Sequence, residues 1–128
     1  MELAILAPAM LLATMLIIQF ALWFNARHAA LAAAQAGARI AREEAASNPR
    51  WQADAVTEAT RYYDALGTKL LTNVQVPAPS MDNATHEVSV TVTGQLAGIL
   101  PWHMTITQTV AGPIECFHPV TAGGGCGP

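Results

Sequence analysis

Formal charge is scarce in this chain. Six Lys and Arg and nine Asp and Glu are spread over 128 residues, for a net charge of −3. A protein that grips nucleic acid needs a basic patch to displace phosphate counterions, and this inventory cannot assemble one, so nucleic acid is excluded as a partner. Beyond residue 88 the only formally charged side chain is Glu115. Such an uncharged surface suits a subunit lying among others, although a small Thr-rich sheet carries it equally well alone. Cysteine is limited to Cys116 and Cys126. With so little sulfur, and with about 80 residues after Asn48 to build a core from, any independent head is small and gains from a staple or from neighbours.

Catalytic signatures are missing too. The chain has no nucleophile elbow, P-loop, paired zinc-ligand motif or Gly-rich dinucleotide turn. Ser47, Ser80 and Ser89 have no acid and base nearby in sequence, and His28, His86, His103 and His118 are scattered, as surface or interface polar groups are. Asn83-Ala84-Thr85 matches a glycosylation sequon, a pattern too short to carry weight. Neither an enzyme nor a cofactor is expected.

What the chain does have is a long apolar run. Residues 3–24, LAILAPAMLLATMLIIQFALWF, carry no formal charge between Glu2 and Arg27, and only Pro8, Thr14 and Gln19 interrupt the apolar character. A helix rising ~1.5 Å per residue needs about 20 such residues to cross a ~30 Å hydrocarbon core. The run lacks the basic n-region of a secretory signal peptide and exceeds its h-region of about 7 to 15 residues, so a retained anchor is expected over residues 1–24. Pro8 removes one backbone hydrogen bond and is expected to bend the helix near its start.

The helical signal does not stop at the membrane edge. NARHAALAAAQAGARIAREEAAS is rich in Ala, Arg, Glu and Leu and free of proline until Pro49, so residues 25–47 continue the same rod to a length of about 66 Å. Ala29, Ala33, Gly37, Ala41 and Ala45 recur every fourth residue, with Ala26, Ala30, Ala34 and Ala38 as a second row. Small residues at that interval let another backbone approach closely, as in membrane helix contacts, although alanine is abundant enough here for some rows to arise by chance.

Residues 48–128 read as a separate head. Asn48-Pro49 ends the first helix and suits the start of a second, with Asn48 as N-cap, Pro49 at the first helical position and Gly67 as C-terminal cap. Trp51, Ala55, Ala59, Tyr62 and Leu66 are expected to share its apolar face, away from Asp54, Glu58 and Arg61. The period then changes from 3.6 to 2. Residues 86–93 alternate through Val88, Val90 and Val92, and residues 104–110 through Ile106 and Val110, as half-buried strands do. With a shorter candidate at 73–76 before the PAPSMDN turn, this makes a three-stranded antiparallel sheet with one face covered by helix.

Cys116 and Cys126 sit in the Gly-rich tail ECFHPVTAGGGCGP. Outside the cytoplasm a disulfide between them is the natural reading, and so short a ring contributes about 2–3 kcal/mol in the chain-entropy model. Free thiols, or zinc held by Cys116, His118 and Cys126 with a fourth ligand from elsewhere, remain alternatives. Glu2 at the mouth of an apolar helix must be neutralised, paired or kept at the headgroups, and the exposed N–H groups of the first turn favour it there. A specific partner and an unremarkable interfacial acid are equally compatible with that placement.

In order, an acid opening the apolar helix, Pro8, Gln19-Phe20, Asn25-Ala26-Arg27-His28 and Ala34-Gln35-Ala36-Gly37-Ala38-Arg39 form a succession that resembles the TadE-like family. Those are minor pilins, or pseudopilins, of the tight-adherence (Tad, or Flp) pilus machinery. The resemblance implies a pilin-like α+β fold, other pilin and Tad assembly subunits as partners, and processing by a prepilin peptidase. It also implies residence in the bacterial cytoplasmic membrane, single-pass, with the head outside the cytoplasm. In that setting Glu2 is the expected docking residue. Pilin-like precursors carry a short basic leader ending in Gly, whereas here Glu2 follows Met1 directly, so either a basic stretch lies upstream of Met1 or the chain is an unprocessed variant. Arg27, Arg39 and Arg42, which follow the anchor, taken alone place the head in the cytoplasm by the positive-inside rule. A basic leader reverses that count, and a disulfide agrees with the reversal. The competing reading is a membrane-tethered extracytoplasmic module binding a small ligand or metal through Cys116, His118 and Cys126 or through Trp102-His103. An accessory component that stays in the membrane and never enters a fibre is a third.

Overall fold

The computed structural model describes residues 2–66, 69–97 and 104–115. One helix dominates. α1 (Glu2–Glu44) runs uninterrupted through Pro8 for 43 residues, about 65 Å. Mid-run, Thr14 Oγ1 donates back to the Met10 carbonyl at 2.8 Å, so its hydroxyl is satisfied inside the helix.

α1 ends in a corner organised by Asn48. The Ser47 and Asn48 amides both donate to the Glu44 carbonyl. The Asn48 side chain accepts from the Arg50 amide at 2.9 Å and donates to Glu44 Oε2 at 2.7 Å and Asp54 Oδ2 at 2.9 Å. It thereby ties the last turn of α1 to the first turn of α2 (Trp51–Ala65). Asn48 closes an Asx turn ahead of the helix instead of serving as its N-cap, and helical geometry begins two residues later than Pro49 suggests; Arg50 takes the cap position without a side-chain bond.

The buried face of α2 is Trp51, Ala55, Ala59 and Tyr63. Tyr62 and Leu66, expected on that face, are 42% and 41% exposed. A row stepping by four residues drifts about 40° per step around the helix, and α2 buries such a row, so contact passes to Tyr63. The Tyr63 hydroxyl accepts the Leu71 amide at 3.0 Å and so anchors the first strand. Gly67 lies outside the described residues.

The sheet has four strands where three were expected: β1 (Leu71–Gln75), β2 (Ser80–Asp82), β3 (Glu87–Leu96) and β4 (Met104–Pro113). β3 is central. β4 pairs antiparallel along its whole length, from Glu87 opposite Pro113 to Leu96 opposite Met104. Along the other edge β1 and β2 follow one another, β1 opposite residues 93–96 and β2 opposite residues 87–89. Pro77 and Pro79 lie between them and have no N–H to donate, which splits one long edge strand into two. A bulge between Thr72 and Gln75, with Asn73 at φ 51°, adds to the break.

Side chains alternate across β3 as the sequence demands. Val88, Val90 and Val92 are fully buried, with Leu96 and, from β4, Ile106 beside them. The opposite face carries a hydroxyl ladder: Ser80 to Ser89 at 2.7 Å, Thr91 to Thr109 at 2.9 Å and Thr93 to Thr107 at 3.4 Å. The buried face lies on the C-terminal half of α1, and α2 packs beside it, giving an α+β head. β4 returns to the end of α1, where the Glu115 amide donates to the Arg42 carbonyl at 3.0 Å and the Arg42 side chain lies over Gly112.

Candidate functional site

The chemistry available to α1 changes sharply along its length. From Ile5 to Phe20 its large apolar side chains stand exposed: Ile5 is 74% exposed, Leu11 73%, Ile17 70% and Phe20 66%. A monomeric soluble protein rarely leaves so much contiguous apolar surface in water. The helix is long and apolar enough to cross a membrane, and among the described residues its most apolar window is left unburied. A single-pass anchor is consistent with this arrangement.

A belt marks where the apolar stretch ends. Phe20 and Trp23 sit with ring centroids 5.8 Å apart, the Arg27 guanidinium lies 5.6 Å from the centre of the Trp23 ring, and Phe24 meets His28 edge-on at 4.4 Å. Aromatic rings followed one turn later by cationic or polar groups suit the level where hydrocarbon gives way to headgroups. Against this belt rests the start of β4. Met104 joins Leu16, Gln19, Phe20 and Trp23 around an almost wholly apolar groove of about 330 Å³. The pattern of β4 gave no sign that its first residue would reach α1 at that level, and the belt itself was not read from the sequence, although the spacing of Trp23 and Arg27, one helical turn apart, was a signal for it.

Beyond the belt the small-residue rows are covered. Ala33 and Ala41 are fully buried, Ala29 is 6% exposed, and the second row, Ala26, Ala30, Ala34 and Ala38, is buried as well. Gly37 is the closest approach. A Cβ there would lie 2.9 Å from the Ala55 carbonyl oxygen, 3.0 Å from Ala59 Cβ and 3.2 Å from Val90 Cγ1. The rows therefore meet α2 and β3 of the same chain. Ala45 is half-buried at the end of the first row, packed on the cluster that includes Trp51 and Val88.

The outward side of α1 forms a second, shallow groove against α2, lined by Ala32, Gln35, Ala36, Ile40 and Tyr62. Ion pairs flank it. Arg39 Nε meets Glu43 Oε1 at 3.0 Å, and Arg61 forks onto Glu58 at 3.0 and 2.7 Å. The hydrogen bonds from Arg61 hold the Glu58 carboxyl below its ordinary value, and the bond to Glu43 raises Arg39. These are solvated pairs that set local side-chain geometry.

Glu2 opens the first turn of α1; its side chain lies outside the described residues. So do Cys116, His118 and Cys126, and Trp102 and His103. Among the described residues no three His, Cys, Asp or Glu side chains gather to hold a metal ion.

Residues 1–39 match the model of a protein family described as TadE-like protein. The match takes in the uncovered apolar stretch, the belt and most of the small-residue rows, and it stops before the head, so the resemblance of α1 to TadE-like, pilin-like proteins of the Tad system is shown over that helix. Comparison with the curated proteins and with the solved structures gives no match.

Proposed function

We propose that this chain is a structural minor pilin, or pilus-assembly subunit, of a tight-adherence pilus, acting by helix packing and docking and not by catalysis. The observation that carries the reading is that the family match includes the whole exposed apolar part of α1: the residues that resemble TadE-like proteins take in the stretch open to lipid or to neighbouring helices, together with the small-residue rows that seat the head. Other pilin and Tad subunits are the partners, and a prepilin peptidase is the processing enzyme. The head lies outside the cytoplasm, where Cys116 and Cys126 close a disulfide; alkylation under non-reducing conditions should leave both unmodified.

Glu2 supplies the docking charge. Drawn toward lipid, it is stabilised by the N-terminal ammonium of a neighbouring subunit; at ~4 Å and an effective dielectric of about 20 such a pair has a Coulomb term of roughly 4 kcal/mol before desolvation is subtracted. That favours register without driving assembly alone. Replacing Glu2→Gln or Glu2→Ala should leave membrane insertion intact and reduce incorporation into pili, read by fractionating membranes from sheared fibres. Unchanged incorporation of both variants would remove Glu2 from docking.

A further inference from the structure

The depth at which the head meets α1 has a consequence for the bilayer. Resting on the anchor reading above, we infer that the Met104 end of the β3–β4 ribbon is immersed in the head-side interface of the membrane, so that the subunit holds the bilayer by a helix and by the tip of its sheet. Trp23 and Arg27 set the interface level on α1. Met104 closes a groove whose other walls run from Trp23 back to Leu16, about 10 Å further along the helix toward the lipid.

The head cannot be lifted clear of lipid without leaving the span short. Residues 3–24 give about 33 Å of apolar helix against a ~30 Å core, so nearly the whole run is used. Moving the boundary back to Leu16, to keep Met104 in water, leaves residues 3–15 and about 20 Å, roughly 10 Å too little. The groove is continuous with the lipid-facing surface of α1, and Met104, 37% exposed, offers that surface a flexible apolar side chain. Gln19 Oε1, buried in that groove, has no hydrogen-bond partner among the described residues, a group that interfacial water can satisfy and hydrocarbon cannot. At the same end of the sheet Leu70 accepts the Ala97 amide at 2.8 Å, and Lys69 beside it can extend its ammonium to the phosphates while its stem lies on apolar surface.

The methionines provide their own depth gauge. Met10 and Met15 lie in the apolar stretch, Met104 at the sheet tip, and Met81 pairs with Val88, eight residues along β3 from the partner of Met104 and so about 27 Å away. The full chain, labelled with ¹³C at the methionine methyls, is placed in phosphatidylglycerol–phosphatidylcholine nanodiscs at one copy per disc, with Met81→Leu and Met104→Leu variants assigning the signals. A lipid carrying a spin label near its carbonyl should erase most of the Met104 intensity, as it does for Met15, while a water-soluble gadolinium chelate erases Met81 and spares Met104. A Met104 that follows Met81 overturns the inference, and so does one spared by both agents, which would mean that protein covers it, as a second copy would. Loss of lipid broadening at Met10 and Met15 would overturn the anchor reading and this inference together, whereas loss at Met104 alone overturns only the latter.

Discussion

At the scale of single residues, Gly37 decides whether α1 and α2 can lie together. Glycine inside a helix is about 1 kcal/mol worse than alanine, so on propensity alone Gly37→Ala should stabilise. The three contacts of 2.9–3.2 Å that a Cβ would make reverse that sign, because the nearest is a backbone carbonyl that no rotamer change can remove. Overpacking of this kind costs about 1–3 kcal/mol. Gly37→Ala is therefore expected to lower the melting temperature of the head by roughly 4–8 °C for each kcal/mol of net loss. Gly37→Leu should abolish cooperative melting, while Gln35→Leu, at an exposed position of the same helix, should leave the midpoint unchanged. A second residue-scale device sits in the turn between β2 and β3. The Ala84 amide donates to Asp82 Oδ1 at 2.8 Å, and this bond, helped by Thr85 and by the charge of His86, holds the Asp82 carboxyl below its ordinary value. A carboxyl whose folded value is depressed stabilises the fold fully above its unfolded value of about pH 4 and loses that contribution as pH falls through the folded one. Urea midpoints measured from neutral pH downward should fall less steeply below about pH 4 for Asp82→Asn than for the wild type, and less steeply still for Asp82→Asn combined with Glu58→Gln, whose carboxyl is depressed in the same direction by Arg61.

At the scale of elements, what was legible in the sequence follows from what sets each boundary. The switch from a 3.6-residue to a 2-residue period is written in the valines of β3 and in Ile106, because one face of that sheet must be apolar whatever its neighbours are. The helix break at Asn48-Pro49 is local chemistry and was equally readable. β2 was not, since Ser80, Met81 and Asp82 are all exposed and become a strand only by pairing with residues 87–89. The choice of Tyr63 over Tyr62 was hidden for a related reason: two adjacent tyrosines are indistinguishable until the course of α2 across α1 fixes which one the drifting row buries. The small-residue rows were visible as rows, but what they meet was not. Close approach is encoded in the lack of side chains, and that absence reads the same whether the approaching backbone belongs to α2 of this chain or to another copy.

At the scale of the whole molecule, α1 serves two solvents, and the division between them should be separable. All the buried residues of the head clusters lie at or beyond Ala26, with Trp23 packed against them, whereas the large apolar side chains of residues 5–20 stay exposed. The first twenty-odd residues thus contribute apolar surface without contributing to the core. A chain shortened to begin at residue 22 retains Trp23, the small-residue rows, α2 and every strand pairing, so it should fold cooperatively and remain monomeric in water, with the amide-exchange protection of β3 preserved. The full chain should need detergent or lipid to stay dispersed. Shortening further, to begin at residue 31, removes Ala26, Ala29 and Ala30 from under Val92, Leu96 and Ile106 and should expose that end of the sheet. Gel filtration and urea titration of the two shortened chains would check the assignment. A chain beginning at residue 22 that aggregates or melts without cooperativity would mean that the apolar stretch supports the head, and the two halves of α1 could not then be treated as serving lipid and core separately.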